Sequence, residues 1–191
     1  GFEVPAGNLL GGAEGQGFVQ LVENLDRAVQ WCEDRILAEV QDARAPAGFD
    51  ELLGEFFGDA DQVARFKRYL ARLEVEPGQE VVRQGTPAEN IYFVERGELE
   101  VLLQVNGGKP LRLRTIMAGA MFGELAVFLD QTRSATVRAA GPCTLHRLSK
   151  AKLQEMWEGD SALAARFDAY LIKSLSQRLV DNNRVIEHLT K

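Results

Sequence analysis

The sequence predicts a mainly β fold, a jelly roll with helices at both ends. Between about residues 73 and 149, roughly eight short runs of strand-forming residues are separated by turn signals. Apolar residues at helical spacing precede and follow this region. Many short strands at such intervals are typical of an antiparallel barrel or jelly roll rather than of a parallel sheet. We therefore expect N-terminal helices, a β jelly roll and a C-terminal helical lid.

Composition narrows the function classes. The chain has 191 residues, a 46% apolar fraction and a net charge of −6, with basic residues scattered among acidic ones. A nucleic-acid interface needs a concentrated basic face, so nucleic-acid binding is not expected.

The two cysteines, Cys32 and Cys143, are far apart in the sequence and lie in apolar stretches. This pattern indicates free thiols in a reducing compartment. No run is long enough for a membrane span, and the first residue is not Met. We expect a fragment that lacks an upstream part.

Residues 1–46 are predicted to be separate from the rest. A glycine-rich, flexible start to Gly17 is followed by "FVQLVENLDRAVQWCEDRILAEV", a strand-like run and a helix with Asn24 as its N-cap. "QDARAPAG" then reads as a linker. The prediction is a strand and helix left over from an upstream domain over 1–46, and a second domain over 47–191.

The second domain is expected to begin with two short helices and then change to strands. "FDELLGEFFGDADQVARFKRYLARL" indicates the helices, separated at Gly58-Asp59. "LEVEPGQEVVRQG" predicts a strand pair around the Pro77-Gly78 turn, and further tight turns fall at Arg96-Gly97 and at 106–108. Alternation is clear in "LRLRTI", and "SATVRAA" and "CTLHRLS" supply two more strands.

Two helices are expected to close the chain. Ser149 can cap the first, and Asp160 or Ser161 can cap the second. In the last helix an apolar residue recurs every four positions, which predicts an amphipathic helix. These residues are Leu163, Phe167, Leu171, Leu175 and Leu179. The stripe is expected to form core or a homodimer seam.

The chemistry of the chain is concentrated in "MFGELAVFLDQTRSATV", residues 121–137, where Glu124 and Arg133 lie in an apolar run. Buried charges are costly unless they find partners. They pair either with each other, as a structural ion pair, or with a ligand. Read as strand, glycine turn and short helix, the segment offers first-turn N–H groups to an anion. The Arg133 fork suits two phosphate oxygens. A carboxylate such as Glu124 is compatible with a neighbouring anion site only if it accepts hydrogen bonds from hydroxyl groups of the same ligand. A sugar phosphate, or a nucleotide with a free 2′-hydroxyl, offers both groups.

These residues resemble the phosphate-binding cassette of cyclic nucleotide-binding domains, F-G-E-L-A followed after a short spacer by R-[ST]-A-T-V. The resemblance covers about residues 49–185. It implies that Glu124 accepts the ribose 2′-hydroxyl and that Arg133 pairs with the cyclic phosphate. The backbone amides implied to line the phosphate pocket are those of Gly123, Leu125, Ala126, Ser134 and Ala135.

The same resemblance implies a lid. A residue of the last helix closes over the base in this family, and Leu175 and Arg178 are the candidates here. Alanine at the position of Ser134 goes with adenine, and threonine there can bond the guanine amino group. Serine therefore predicts a modest preference for cyclic AMP over cyclic GMP. Either nucleotide would be a ligand, and no cofactor is implied.

A second resemblance covers only about 20 residues. "FVQLVENLDRAVQWCEDRILAEV" before this cassette is similar to the junction between a STAS domain and a cyclic nucleotide-binding domain in bacterial SulP-type anion transporters. It implies a cytoplasmic sensor module whose parent is an inner-membrane transporter. The transporter domain would then be its partner in the same parent chain.

Other functions remain open. The chain can be the ligand-binding part of a transcription regulator truncated before its DNA-binding helices, or a degenerate domain that keeps the fold and binds no nucleotide. A cupin-type enzyme is disfavoured because the two histidines, His146 and His188, are far apart, and His146 is expected at the surface or rim. We therefore expect no enzyme activity, no catalytic residues and no metal site.

Overall fold

The computed structural model describes residues 49–105 and 108–189. Two helices come first, α1 (Phe49–Phe57) and α2 (Ala60–Lys67). Eight strands follow: β1 (Leu70–Val75), β2 (Glu80–Val82), β3 (Asn90–Arg96), β4 (Glu98–Leu103), β5 (Leu111–Met117), β6 (Met121–Phe122), β7 (Thr136–Ala139) and β8 (Cys143–Ser149). A short helix α3 (Glu124–Phe128) lies between β6 and β7, and α4 (Lys150–Gly159) and α5 (Ser161–Leu189) end the chain. The predicted upstream strand, helix and linker lie outside the described residues.

The strands form two antiparallel four-stranded sheets, which confirms the predicted jelly roll. The first sheet has the order β1-β8-β3-β6 and the second the order β2-β7-β4-β5. One local prediction is wrong: β1 and β2 do not pair with each other across the Pro77-Gly78 turn. β1 pairs with β8 and β2 with β7. The turn instead crosses between sheets, and the N–H of Gly78 donates to the carbonyl of Ala139 at 2.8 Å.

The first sheet is covered on both faces, and its central strand β3 shows how. Ile91 and Phe93 face the helices, whereas Tyr92 and Val94 face the second sheet. This alternation follows from the period of two along a strand. The cluster between the sheets contains Val75, Tyr92, Val94, Leu99, Val101, Ile116, Phe122, Val137, Ala139, Cys143 and Leu145. β3 is therefore buried from both sides.

The second cluster joins the first sheet to the helices. Its largest fully buried side chains are Phe57 of α1, Phe66 of α2, Phe93 of β3 and Phe167 of α5. The Phe66 ring lies 4.6 Å from Phe57, 5.5 Å from Phe167 and 5.7 Å from Phe93, measured between centroids. Aromatic contacts of this kind add to the free energy of burial. The helices before and after the jelly roll thus share one core.

α5 packs along only part of its length. Leu163, Phe167 and Leu171 are buried, but Leu179 is 62% exposed. The predicted stripe is therefore part of the core from Leu163 to Leu171 and has left the core at Leu179. A residue every four positions advances about 40° further round the helix at each step, because the helical repeat is 3.6 residues. Over four such steps the stripe rotates away from the core.

The start of α5 is held to α2. Asp160 accepts from the N–H of Leu163 at 3.2 Å, so it caps the helix as predicted, and its other oxygen lies 2.9 Å from Nη1 of Arg65. Ser149 caps α4 by accepting from the N–H of Lys152 at 3.2 Å. Asp160 thus fixes the polypeptide between α4 and α5 to α2.

His146 is not at the surface. It is 8% exposed, its ring stacks on Phe49 with centroids 3.9 Å apart, and its Nε2 lies 2.6 Å from Oε2 of Glu95. The sequence prediction was wrong because α1 covers this part of β8. Within residues 49–105 and 108–189, no cluster of metal-ligating side chains occurs. None of the described helices combines the length and hydropathy that a membrane crossing requires.

Candidate functional site

The predicted ligand segment forms a strand, a glycine turn and one short helix. β6 ends at Phe122, Gly123 precedes α3, and Gly123 has a left-handed backbone with φ of 82°. A Cβ on Gly123 would lie 2.5 Å from Nη1 of Arg133, so the position has room only for glycine. No side chain caps α3. The first N–H groups of this helix are therefore left for another acceptor.

Arg133 is buried beneath this turn, with 5% of the residue exposed. Its Nη1 donates to the carbonyl of Gly123 at 2.8 Å, and its Nη2 donates to the carbonyl of Asn90 at 2.6 Å. Its backbone is fixed as well: the N–H donates to Thr86 O, and the carbonyl accepts from Gly85 N, both at 2.8 Å. The guanidinium is thus held by β3 and by the glycine turn before α3, and the backbone of Arg133 is held by the loop before β3.

The charge of Arg133 is not neutralised by these bonds. Both carbonyls are uncharged acceptors, and Cζ lies 5.9 Å from the Tyr92 ring centroid. Burial lowers the pKa of the Arg133 guanidinium, whereas Tyr92, Glu124 and Glu89 raise it. An arginine nevertheless stays protonated in a protein. A buried cation beside free helix N–H groups is suited to an anion.

Glu124, the first residue of α3, is the other buried charge, with 2% exposed. Its Oε1 lies 2.6 Å from Nη1 of Arg178 on α5, and Nη2 of Arg178 donates to the carbonyl of Met121 at 2.7 Å. Glu124 and Arg133 do not form an ion pair, so the interpretation as a mutual structural pair is wrong. Glu124 therefore pairs with α5 rather than with Arg133.

The family assignment rests on this segment and its frame together. Residues 72–160 match the family model of the cyclic nucleotide-binding domain. Over these residues the chain is similar to that family. The match includes the whole jelly roll from β2 onward, the glycine turn, Glu124, Arg133 and α4.

Two relatives and one solved structure illustrate the domain's similarities. Glutaminase 2 of Bradyrhizobium diazoefficiens is 28% identical over 172 residues, covering 87% of this chain and 26% of that protein. The cAMP-dependent protein kinase regulatory subunit of Blastocladiella emersonii is 31% identical over 114 residues, covering 59% of this chain and 28% of that protein. The chain therefore spans about a quarter of the length of each of these relatives.

A cyclic nucleotide-binding domain from Methylobacillus flagellatus shares the fold. Its crystal structure superposes with a TM-score of 0.64 at 20% identity, covering 69% of this chain and 76% of that one. At this identity the similarity establishes the architecture alone.

A cleft of about 340 Å³ opens beside Arg133. It is lined by β2, the loop after β2, Asn90 and Tyr92, and its size falls in the usual range of small-molecule pockets. Glu124 is not among the residues that line this cleft, and its carboxylate contacts Arg178 of α5. The cleft thus reaches Arg133 but not Glu124.

The remaining predicted residues surround this site at different depths. Ala126 and Leu175 pack at the margin of the cluster between the first sheet and the helices. Ala135 packs against the cluster between the two sheets. Leu125 is 52% exposed, and Ser134 is also exposed. The bond from Arg133 to the carbonyl of Gly123 is what brings the two ends of the cassette together.

Two contributors were missed in the sequence. Asn90 supplies a carbonyl to Arg133, and Tyr92 supplies the ring beneath it. The alternation in "NIYFV" places Tyr92 on the inner face, but it does not indicate that Arg133 lies over the ring. The contact from Asn90 is made by its backbone carbonyl, which every residue type has, so the identity of the residue does not indicate it.

Proposed function

We propose that the chain is a regulatory module that binds a cyclic nucleotide, cyclic AMP or cyclic GMP, and does no chemistry on it. The observation that carries the proposal is the buried Arg133 guanidinium, held by two carbonyls and lacking a described anionic partner at hydrogen-bond distance. The relative from Blastocladiella is named as the regulatory subunit of a cAMP-dependent kinase, which supports cyclic AMP as a ligand.

The ligand's two halves fit the two buried charges. The cyclic phosphate accepts from Arg133 and from the N–H groups of Gly123, Leu125, Ala126, Ser134 and Ala135. The ribose 2′-hydroxyl donates to Glu124. A carboxylate next to a phosphate site repels the anion unless the ligand also offers such a donor, so the pair selects a ribose phosphate over a simple phosphate.

Binding would be transmitted through α5. Arg178 already holds Glu124 and the Met121 carbonyl, so a nucleotide that uses Glu124 must share or displace that contact. A ligand shifts a conformational equilibrium only by interacting differently with its two states. The Glu124–Arg178 contact supplies such a difference.

Titration calorimetry with cyclic AMP and cyclic GMP tests the binding proposal. Arg133→Ala should reduce affinity by at least about tenfold, because losing one partner of a desolvated charge pair costs about 2–5 kcal/mol. Arg138→Ala, on β7, is the control, since its side chain pairs with Glu100 at 2.8 Å outside the cassette. Wild-type protein that binds neither nucleotide, or an Arg133→Ala titration identical to wild type, contradicts the proposal.

For the parent protein, we propose a SulP-type anion transporter, with this module on the cytoplasmic side of the membrane. The support is the likeness of the segment before residue 47 to a STAS junction. In this setting α5 would act on the transporter domain or on a second copy of the module. The sequence of the parent gene tests it: predicted membrane spans upstream support a transporter, and DNA-binding helices downstream would instead indicate a transcription regulator.

A second parent is favoured by one observation. The similarity to Glutaminase 2 covers 87% of this chain, more than residues 49–191 contain, so it extends into the segment before α1. That supports an enzyme of the glutaminase type in which this module is a regulatory appendage. A glutaminase domain in the parent gene, and amide hydrolysis by the full-length protein that responds to cyclic nucleotide, would support this parent over the transporter.

A further inference from the structure

The cleft of about 340 Å³ beside Arg133 is not explained by the nucleotide site. Among the described residues that line it, Arg133 is the only one assigned to the nucleotide. Neither Glu124 nor any residue whose backbone amide is assigned to the phosphate borders it. Its other walls come from β2, the loop after β2 and the start of β3. The proposed nucleotide contacts therefore do not account for this cleft.

The cleft carries an excess of positive charge. Of the described residues that line it, three are charged: Glu80, Arg83 and Arg133. Oε2 of Glu80 accepts from Nε of Arg83 at 2.8 Å, and the Nη groups of Arg83 have no partner in the described part of the chain. Each Nη atom of Arg133 gives one hydrogen bond to a backbone carbonyl. A guanidinium has five N–H groups, so both arginines keep unused donors.

Uncharged groups complete the lining. The side chains of Asn90 and Tyr92 face the cleft, and within residues 49–105 and 108–189 neither makes a hydrogen bond. Val81, Val82 and Pro87 add apolar surface. A few polar groups set in an apolar wall are typical of a site for a small molecule. The cleft therefore has the size and the lining of a ligand site.

The charges of the lining indicate the class of ligand. A guanidinium binds a carboxylate through two parallel hydrogen bonds, so two arginines suit two carboxylates. The carboxylate of Glu80 would repel a ligand that carried only negative charges, but it pairs with an ammonium group. Acidic amino acids carry two carboxylates and one ammonium group on a short apolar chain. Their net negative charge is opposite to the net positive charge of the lining.

We propose that this cleft binds an acidic amino acid, with its carboxylates on Arg83 and Arg133 and its ammonium group on Glu80. The consequence for the nucleotide rests on the proposed function, because Arg133 is also assigned to the cyclic phosphate. A carboxylate on Arg133 neutralises the charge that the cassette offers to the phosphate. The amino acid and the cyclic nucleotide therefore weaken each other's binding, and such coupling is reciprocal.

Calorimetric titration with L-glutamate, without nucleotide, tests the site directly. We expect saturable binding, and binding weaker by at least about fivefold for L-glutamine, which lacks one carboxylate, and for glutarate, which lacks the ammonium group. Arg83→Gln should weaken L-glutamate by a similar factor, and Glu80→Gln should bring the affinities for L-glutamate and glutarate together. The matched control is Arg96→Gln, an exposed arginine at the other end of β3 with no described ion pair, which should leave all these affinities unchanged.

The coupling is tested by titrating cyclic AMP in L-glutamate and in chloride at equal ionic strength. Saturating L-glutamate should weaken cyclic AMP by at least about fivefold in wild type. It should have no effect in Arg83→Gln, which alters no residue of the cassette. An effect that persists in Arg83→Gln would mean that glutamate only displaces phosphate from the cassette, and it would overturn the inference.

The two proposals fail in different ways. Folded wild-type protein that binds cyclic AMP but not L-glutamate, or that binds glutarate as tightly as L-glutamate, overturns the amino acid site and leaves the proposed function intact. Protein that binds L-glutamate but neither cyclic nucleotide supports the amino acid site and contradicts the proposed function.

Discussion

Arg178 and Glu124 are 54 positions apart in the chain, yet the guanidinium of one lies 2.6 Å from the carboxylate of the other. Glu124 is almost fully buried, whereas the Arg178 side chain is 29% exposed. The contact joins the cassette to the stretch of α5 from 172 to 180, in which the structure describes no fully buried residue. It is therefore a polar attachment of this stretch of the helix to the barrel.

Arg178→Gln should loosen α5 in the absence of ligand. The substitution removes a charged partner from Glu124, and hydrogen bonds to charged groups contribute about 1.5–3 kcal/mol. We expect amide hydrogen exchange over residues 172–180 to rise roughly tenfold or more, while residues 161–168 stay protected. Lys173→Gln, an exposed substitution on the same helix, is the control. Unchanged exchange in Arg178→Gln would show that the ion pair does not hold the helix.

Added nucleotide should change the exchange of α5 only beyond Leu171. Its first two turns are held by Asp160 to Arg65 at 2.9 Å, and by Leu163 and Phe167 in the core. The Arg178 contact, by contrast, involves the residue that the ligand is proposed to use. Exchange measured with and without cyclic AMP or cyclic GMP checks this. A change at 121–136 alone would mean that binding is not passed to α5.

Glu124→Gln should discriminate between ribose and deoxyribose ligands. The amide is a weaker acceptor than the carboxylate, so a ligand whose 2′-hydroxyl donates to this position loses affinity. A 2′-deoxy analogue lacks that donor and should lose less. Calorimetric titration of wild type and Glu124→Gln, each with cyclic AMP and with 2′-deoxy cyclic AMP, measures the two losses of affinity. Equal losses for the two ligands would assign Glu124 a purely structural role through Arg178.

Gly123→Ala should abolish binding at a modest cost in stability. The left-handed backbone at φ 82° costs a non-glycine residue about 1–2 kcal/mol, and the new Cβ would lie 2.5 Å from Nη1 of Arg133. The guanidinium must then move out of its two carbonyl contacts. Gly141→Ala meets no atom within 4 Å and is the control. Thermal unfolding and titration of both variants measure the two effects, and full affinity in Gly123→Ala would contradict the proposed geometry.

Stability should fall at alkaline pH partly because of Cys143. Burial raises the pKa of this thiol, which donates to the carbonyls of Glu98 and Gly141. The unfolded chain therefore loses the proton first and binds fewer protons than the folded chain, so the free energy of unfolding decreases as pH rises through the ordinary thiol pKa. The difference in stability between wild type and Cys143→Ala should shrink from pH 7 to pH 10. A constant difference would contradict the assignment.

The parts of the site that could be predicted are local in sequence. The glycine turn, α3 and Arg133 lie within about ten residues, and their spacing carries the information. The contact of Arg178 with Glu124 depends on how far α5 packs along the sheet, which a repeat of four residues overestimates. The register of β5 is irregular, because Leu113 is an extra residue between Arg112, which pairs with Leu102, and Arg114, which pairs with Val101, whereas "LRLRTI" indicates a regular alternation. The prediction that β1 and β2 pair across the Pro77-Gly78 turn was wrong for a similar reason. Both strands pair with strands far along the chain, β1 with β8 and β2 with β7.

Because β3 is buried on both faces, the part of the chain that can fold by itself is larger than the part that matches the family. The family match ends at residue 160 and begins after α2, yet the face of the sheet formed by Ile91 and Phe93 is covered by Phe57, Phe66 and Phe167 from outside that segment. A chain cut to the matched region would expose this aromatic face to water. The recognisable motif is therefore smaller than the piece that can be moved intact between proteins, and any transfer of the domain to a new host has to carry α1, α2 and the first half of α5 with it.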